Sequence, residues 1–98
     1  MIELCYGGQP IRAYINDGRT WFVASDLARA LGFRSGFALA RTVPAEDKKL
    51  LNVETAGGRQ KSTIISDTGL FVFASRTHKP FGGELRQWIL REALPGLS

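Results

Sequence analysis

Arg34, Ser35 and Arg41 fall close together in the chain, and Arg59 and Lys61 follow directly on a Gly57-Gly58 pair. A guanidinium is a rigid fork of donors that matches a phosphate or the edge of a guanine, and a lysine ammonium serves phosphate as a point charge. Polar side chains at the start of a short helix, on the face away from the core, can reach base edges. Cations on a neighbouring hairpin can take backbone phosphates, each adding to the salt dependence of binding. The same residues also read as solvated charges of an ordinary basic surface. Both readings stay open on the sequence.

Other chemistry finds little support. His78 is the one histidine, set in a polar stretch, and reads as a solvated loop residue. Cys5 is the one cysteine, which excludes an internal disulfide and a cysteine-based metal site. A Cys5–His78 nucleophile and base has no local signature, and Cys5 reads as a small buried hydrophobe. Gly57-Gly58 lacks the spacing of a phosphate-binding loop and suits a hairpin tip. Trp21 and Trp88 sit at strand and helix-stripe positions, where core packing is favoured over base stacking. No catalytic constellation emerges, so the expectation is a protein without enzymatic activity, cofactor or metal.

The chain must bury a core to position any of these residues. Its 98 residues make one domain, spanning 1–98, able to bury roughly two-thirds of the unfolded surface. Thirteen basic residues against nine acids give a net charge of +4, and arginine outnumbers lysine nine to four. The sequence pI is about 9.7. A basic balance of this size fits a nucleic-acid footprint without demanding one. No run of apolar residues approaches the length of a membrane span, and a reducing cytosol is the simplest setting for a lone cysteine.

The elements follow from pattern. Ile2, Leu4 and Tyr6 alternate as an edge strand, and Gly7-Gly8-Gln9-Pro10 reads as a break. Ile11, Ala13 and Ile15 alternate as a half-buried strand, turned back at Asp17-Gly18 into a strand over Arg19–Val23. Ser25 is placed to cap a helix carrying Asp26 in its first turn, Leu27 and Leu31 on one face, and Gly32 as a left-handed stop. Ser35 caps a second helix from Gly36 to about Thr42, with Phe37, Leu39 and Ala40 buried and Arg34 and Arg41 on a similar side. These two helices form the skeleton of a helix-turn-helix.

Pro44–Asp47 reads as a polar turn. Leu50–Glu54 and Gln60–Ile65 form a second hairpin, a basic ribbon with Lys48 and Lys49 at its base and Arg59 and Lys61 near its tip. Ser66 and Asp67 open a third helix that is apolar all round, buried on more than one side. Arg76–Pro80 is a polar connection. Leu85, Trp88, Ile89 and Ala93 give the last helix its stripe, leaving Leu90, Leu94 and Leu97 as apolar residues free for a partner. The expected fold is α+β, a small antiparallel sheet built from two β-hairpins plus about four short helices.

Taken in order, several short motifs resemble one family. They are Trp21-Phe22-Val23-Ala24 with Asp26-Leu27-Ala28, Ala30-Leu31-Gly32, Glu46-Asp47-Lys48, Ile65-Ser66 leading to Gly69-Leu70-Phe71, Lys79-Pro80, and Trp88 with Ala93-Leu94-Pro95. The ordered set resembles the Bro-N domain, the N-terminal module of baculovirus repeated-ORF proteins and of many phage antirepressors. One departure is local: the family's last helix usually opens Pro-Glu-Ala, whereas Pro80 is followed by Phe81-Gly82-Gly83. Two glycines disfavour a helix, so it is expected to start a turn later. Family members usually continue into a variable C-terminal domain, so 1–98 is expected to be the N-terminal part of a longer protein or a minimal member.

The resemblance implies an α+β module with DNA-binding or regulatory roles in phage and viral biology, hence the cytoplasm of a bacterial host, with no membrane partner. It hands over no defined base-reading residue. The leading expectation is a prophage regulator that contacts DNA through Arg34, Ser35, Arg41, Arg59 and Lys61. The alternative is a module that antagonises a phage repressor protein by direct contact, through Leu90, Leu94 and Leu97. A homodimer reading paired half-sites is the matching assembly.

Overall fold

The computed structural model describes residues 1–93. Five strands form one antiparallel sheet: β1 (Ile2–Tyr6), β2 (Gln9–Asn16), β3 (Arg19–Val23), β4 (Lys48–Thr55) and β5 (Gly58–Ser66). Their spatial order is β1-β2-β3-β5-β4. Four helices accompany them: α1 (Ala24–Leu31), α2 (Gly36–Ala40), α3 (Asp67–Arg76) and α4 (Gly82–Trp88). A 3-10 turn at Ala45–Asp47 precedes β4, and a π-helical stretch at Ile89–Ala93 continues α4. This is the expected α+β class.

The hairpin at Asp17-Gly18 forms as expected, with Asn16 opposite Arg19 and positive φ at both turn residues. Gly7-Gly8 is a tight turn of the same kind, with Tyr6 opposite Gln9. It joins β1 to β2 directly, so the segment read as a break is a third hairpin. The β4–β5 hairpin is longer than its apolar pattern suggests, because cross-strand pairing runs from Lys48–Ile65 out to Thr55–Gly58.

One face of the sheet is covered by the helices. Ile11, Ala13, Phe22 and Ile65 meet Leu27, Leu39, Leu70, Leu85 and Trp88 in a single core. Trp88 is buried beside Tyr6 and Phe22, and its indole N–H donates to the Cys5 carbonyl at 2.7 Å. The polar end of the ring is thereby satisfied, and Trp88 is a core residue. Cys5 itself is exposed, which corrects its reading as a buried hydrophobe: its side chain alternates with the inward-facing Leu4 and Tyr6. A second, smaller cluster of Trp21, Val23 and Ile64, flanked by Tyr14 and Leu51, occupies the opposite face.

Helix starts and stops are only partly as expected. Gly32 ends α1 with φ of 81°, and Phe33 N–H returns to the Ala28 carbonyl at 2.8 Å. Ser35 caps α2 by accepting from Ala38 N–H, and Ser66 caps α3 by accepting from Gly69 N–H. Ser25 does not cap α1. The helix begins at Ala24, two residues before the start a Ser25 cap implies, and Ser25 lies exposed in its first turn. Val23 is still paired with Ile64 in the sheet, so the strand itself fixes the direction of the first turn.

The expectation for the last helix is also overturned, because α4 begins at Gly82. A Cβ at that position would sit 2.7 Å from the Ala74 carbonyl oxygen and 3.0 Å from Thr77 Cγ2. The glycine lets α4 approach the end of α3, and that contact outweighs its poor helix propensity. Ala93 lies at the end of the π-helical stretch, and Leu94 and Leu97 lie outside the described residues.

Candidate nucleic-acid interface

Two features carry the cations singled out in the sequence. The first is the α1–α2 unit. A Cβ on Gly36 would lie 2.8 Å from Ser25 N and 3.1 Å from Ala24 C, so the start of α2 rests directly on the backbone of the first turn of α1. Arg34 precedes the Ser35 cap and Arg41 follows the last turn, so the two arginines bracket a helix of five residues. Both are exposed. The helix stops at Ala40, short of Thr42, and Arg34 lies outside it, so the spacing that set the pair on a similar side does not apply to a helical face.

Burial of α2 also differs from the expectation. Leu39 and Ala40 enter the core, but Phe37 is 74% exposed. So short a helix has only one inward face, and Leu39 and Ala40 occupy it. The Arg41 guanidinium lies over the Phe37 ring, 6.0 Å from its centroid. Phe37 is a surface residue missed by the sequence reading; its apolar type matched the core pattern.

The second feature is an arm. β3 pairs with β5 only from Trp21–Ser66 to Val23–Ile64, whereas β4 and β5 stay paired from Leu50–Thr63 to Thr55–Gly58. Past the rungs shared with β3 the hairpin continues as a two-stranded ribbon about 20 Å long at some 3.3 Å per residue. Leu51 packs against the Trp21 cluster and Val53 is buried at 2% exposure, so the ribbon lies against the body on one side. Arg59 and Lys61 are exposed on it, opposite Glu54 and Asn52.

The two lysines at the base of the arm are drawn into the fold. Lys48 Nζ donates to the Ala40 carbonyl at 2.8 Å, tying the arm to the end of α2. Lys49 Nζ stands 4.3 Å from the centroid of the Trp21 ring, and the Arg19 guanidinium lies 5.0 Å from the same ring. Trp21 is 7% exposed under these cations and is not open to a nucleic-acid base. Its core role agrees with the sequence reading.

Acidic residues nearby serve the scaffold. Asp47 accepts from Arg19 Nη2 at 3.0 Å and from Ser66 Oγ at 2.9 Å, while Asp67 accepts from Thr20 N–H at 3.1 Å. These bonds fix the 3-10 turn and the start of α3 against β3. Between Asp26 and Glu46 the sequence holds no acid at all, but carries Arg29, Arg34 and Arg41. Arg29 lies 3.6 Å from Asp26, whereas Arg34 and Arg41 form no ion pair with a described residue.

Other candidates resolve plainly. Ser35 Oγ is engaged as the α2 cap, so it orders Arg34 and α2 as well as facing solvent. Leu90 is 48% exposed beside the buried Ile89. His78 is exposed. Among the described residues no cluster of histidine, cysteine or carboxylate side chains is grouped to hold a metal, and no helix is long and apolar enough to cross a membrane.

Compared with known proteins, the chain matches a family model described as BRO family, N-terminal domain, over residues 10–95. The match begins within β2 and takes in α1, α2, the β4–β5 arm, α3 and α4. Neither the curated proteins nor the solved structures give a match.

Proposed function

The chain belongs to the BRO family through its N-terminal domain, and on that footing we propose that it is a non-enzymatic DNA-binding regulator of viral or prophage genes, acting in the cytoplasm of a bacterial host. Arg34 and Arg41 meet the groove on either side of α2, with Ser35 ordering the approach. Arg59 and Lys61 take backbone phosphates along the arm. Contacts to phosphate set register and affinity, while contacts at base edges set sequence preference.

One observation carries this reading: a two-stranded arm with exposed Arg59 and Lys61 near its tip, anchored by Lys48 to a short helix bracketed by Arg34 and Arg41. Its length of about 20 Å lets one body touch a groove and a phosphate track together. The test is the double variant Arg34→Ala with Arg41→Ala. It is expected to lose duplex binding while keeping the circular dichroism and melting transition of the parent. Binding retained at parental strength would remove these two residues from the interface. A two-fold dimer suits paired half-sites, and sedimentation with and without duplex measures it.

A second reading is favoured by Leu90, whose exposure next to the buried Ile89 offers an apolar contact for a protein. In that reading the domain antagonises a phage repressor directly, with Leu94 and Leu97 extending the contact. Co-elution with a repressor encoded beside it, abolished by Leu90→Asp, supports that reading; co-elution unaffected by the change removes Leu90 from it.

A further inference from the structure

An open groove of about 760 Å³ runs between the segment after α2 and the end of α3. Its floor is apolar, formed by Phe33, Val43, Val72 and Phe73. Its rim is cationic: Arg41 stands on one side, and Arg76 and Lys79, with His78 between them, on the other. No acid lines it, and none of the rim's arginines or its lysine forms an ion pair with a described residue. Phe33 and Val72 are partly exposed on that floor, over the buried Val43 and Phe73, and neither the fold nor the proposed DNA contacts account for the opening.

We propose that this groove binds an acidic peptide segment of a partner protein, with one bulky apolar side chain on the floor and flanking carboxylates on the rim. The volume is within the about 300–1,000 Å³ typical of ligand sites. An open groove cannot enclose most of a small molecule, as such sites usually do. It can seat one anchor side chain of a chain that continues across the surface, the arrangement in which a few buried residues supply most of the affinity. Guanidinium groups at the rim pair with carboxylates in bidentate fashion.

The lining argues against a nucleobase as the occupant. Thr42 Oγ1 donates to the Leu39 carbonyl at 2.7 Å, and Thr77 Oγ1 accepts from Lys79 N–H at 3.2 Å, so each hydroxyl holds one bond to the backbone. The lining has no asparagine, glutamine or carboxylate for an adenine or cytosine edge, and its cations match a carboxylate as well as a guanine. Phe73 is 8% exposed and lies between Phe33 and Phe81, with centroids 5.7 and 6.2 Å away. It offers no open ring face for stacking. This inference does not rest on duplex binding, and Arg41 is the one residue the two sites share.

The experiment is a selection of random peptides displayed on phage against the folded domain, with counter-selection on Val72→Asp. The expected winners carry two or more Asp or Glu around a bulky apolar residue. In anisotropy with a labelled winner, Val72→Asp and Arg76→Glu each weaken binding about tenfold or more, as loss of an anchor contact does. Arg76 is exposed, so its variant tests the site even where Val72→Asp disturbs folding. Arg59→Ala with Lys61→Ala leaves peptide affinity unchanged, which separates this site from the duplex contacts. Three results each overturn the proposal: no peptides enriched over the counter-target, winners without acidic residues, or a thymidine oligonucleotide that displaces the winner from the parent domain.

Discussion

Asp26, in the first turn of α1, holds Arg12 of β2 by three hydrogen bonds: from its backbone N–H at 2.9 Å, from Nε at 2.8 Å and from Nη2 at 3.0 Å. Arg12 lies one position beyond the last rung that β2 shares with β3, so the carboxylate takes over where the ladder stops. It accepts from a backbone donor that the strand has left unpaired. The sheet and the α1–α2 unit are thereby tied by one side chain, and Asp26 is 3% exposed.

That bond has a pH signature. Burial pushes the Asp26 carboxyl up, but hydrogen bonds from Arg12, helped by the charges of Arg12 and Arg29, outweigh it and hold the carboxyl below its ordinary value of 3.8. A carboxyl depressed in the folded state contributes stability above its unfolded pKa, and the contribution is lost as pH falls through the depressed folded value. Asp26→Ala is expected to cost about 2–3 kcal/mol near neutral pH, since it leaves the partly buried donors of Arg12 without a partner. Urea denaturation across the acid range measures it. The parent and the variant converge below the carboxylate range, and a constant gap down to the lowest pH contradicts the assignment.

Gly36→Ala sets helix propensity against packing. Propensity alone predicts a gain of about 1 kcal/mol. The added methyl, however, would meet backbone atoms of Ser25 and Ala24 that no rotamer change can move. The expected net effect is a loss of about 1–3 kcal/mol, together with weaker duplex binding as α2 is pushed off α1. A melting temperature at or above the parent's would mean that the two helices are not in the close contact described.

Lys49 has a structural duty under the same logic. Its ammonium over the Trp21 ring contributes about 0.5–1 kcal/mol as a cation–π contact. Lys49→Ala is expected to lose about that much and to uncover Trp21. In a Trp88→Phe background, the Trp21 emission shifts to the red and becomes more accessible to acrylamide. Unchanged emission would show that another residue shields the ring.

What the sequence made legible was local. Asp17-Gly18, Gly32, Ser35 and Ser66 each announce their turn, stop or cap through the chemistry of one side chain acting on its neighbours in the chain. The order of short motifs from Trp21 to Pro95 carried the family resemblance. Asp26 shows the limit: its helix position suggested a dipole partner, but its actual partner, Arg12, lies on another element. Phe37 and Gly82 show it differently, because exposure and close approach depend on where a second helix sits.

The candidate interface divides the same way. Arg34, Arg41, Arg59 and Lys61 were readable as cations and remain exposed. That Lys48 and Lys49 are occupied by Ala40 and Trp21 follows from the register of β4, which composition does not encode. The groove beside Arg76 brings together residues from three separate stretches of chain, so no spacing within any one of them could reveal it.

The most direct measurement of the central claim is fluorescence anisotropy of a labelled random duplex, titrated with the domain at several salt concentrations. Four interface cations, at about 0.9 per phosphate contact, predict a log–log slope of about −3 or steeper. Arg59→Ala with Lys61→Ala should flatten that slope by roughly 2. Binding with that slope, flattened by the arm variant, is the result the DNA-binding account predicts. Absence of binding at low salt, or a slope indifferent to Arg59 and Lys61, would contradict it.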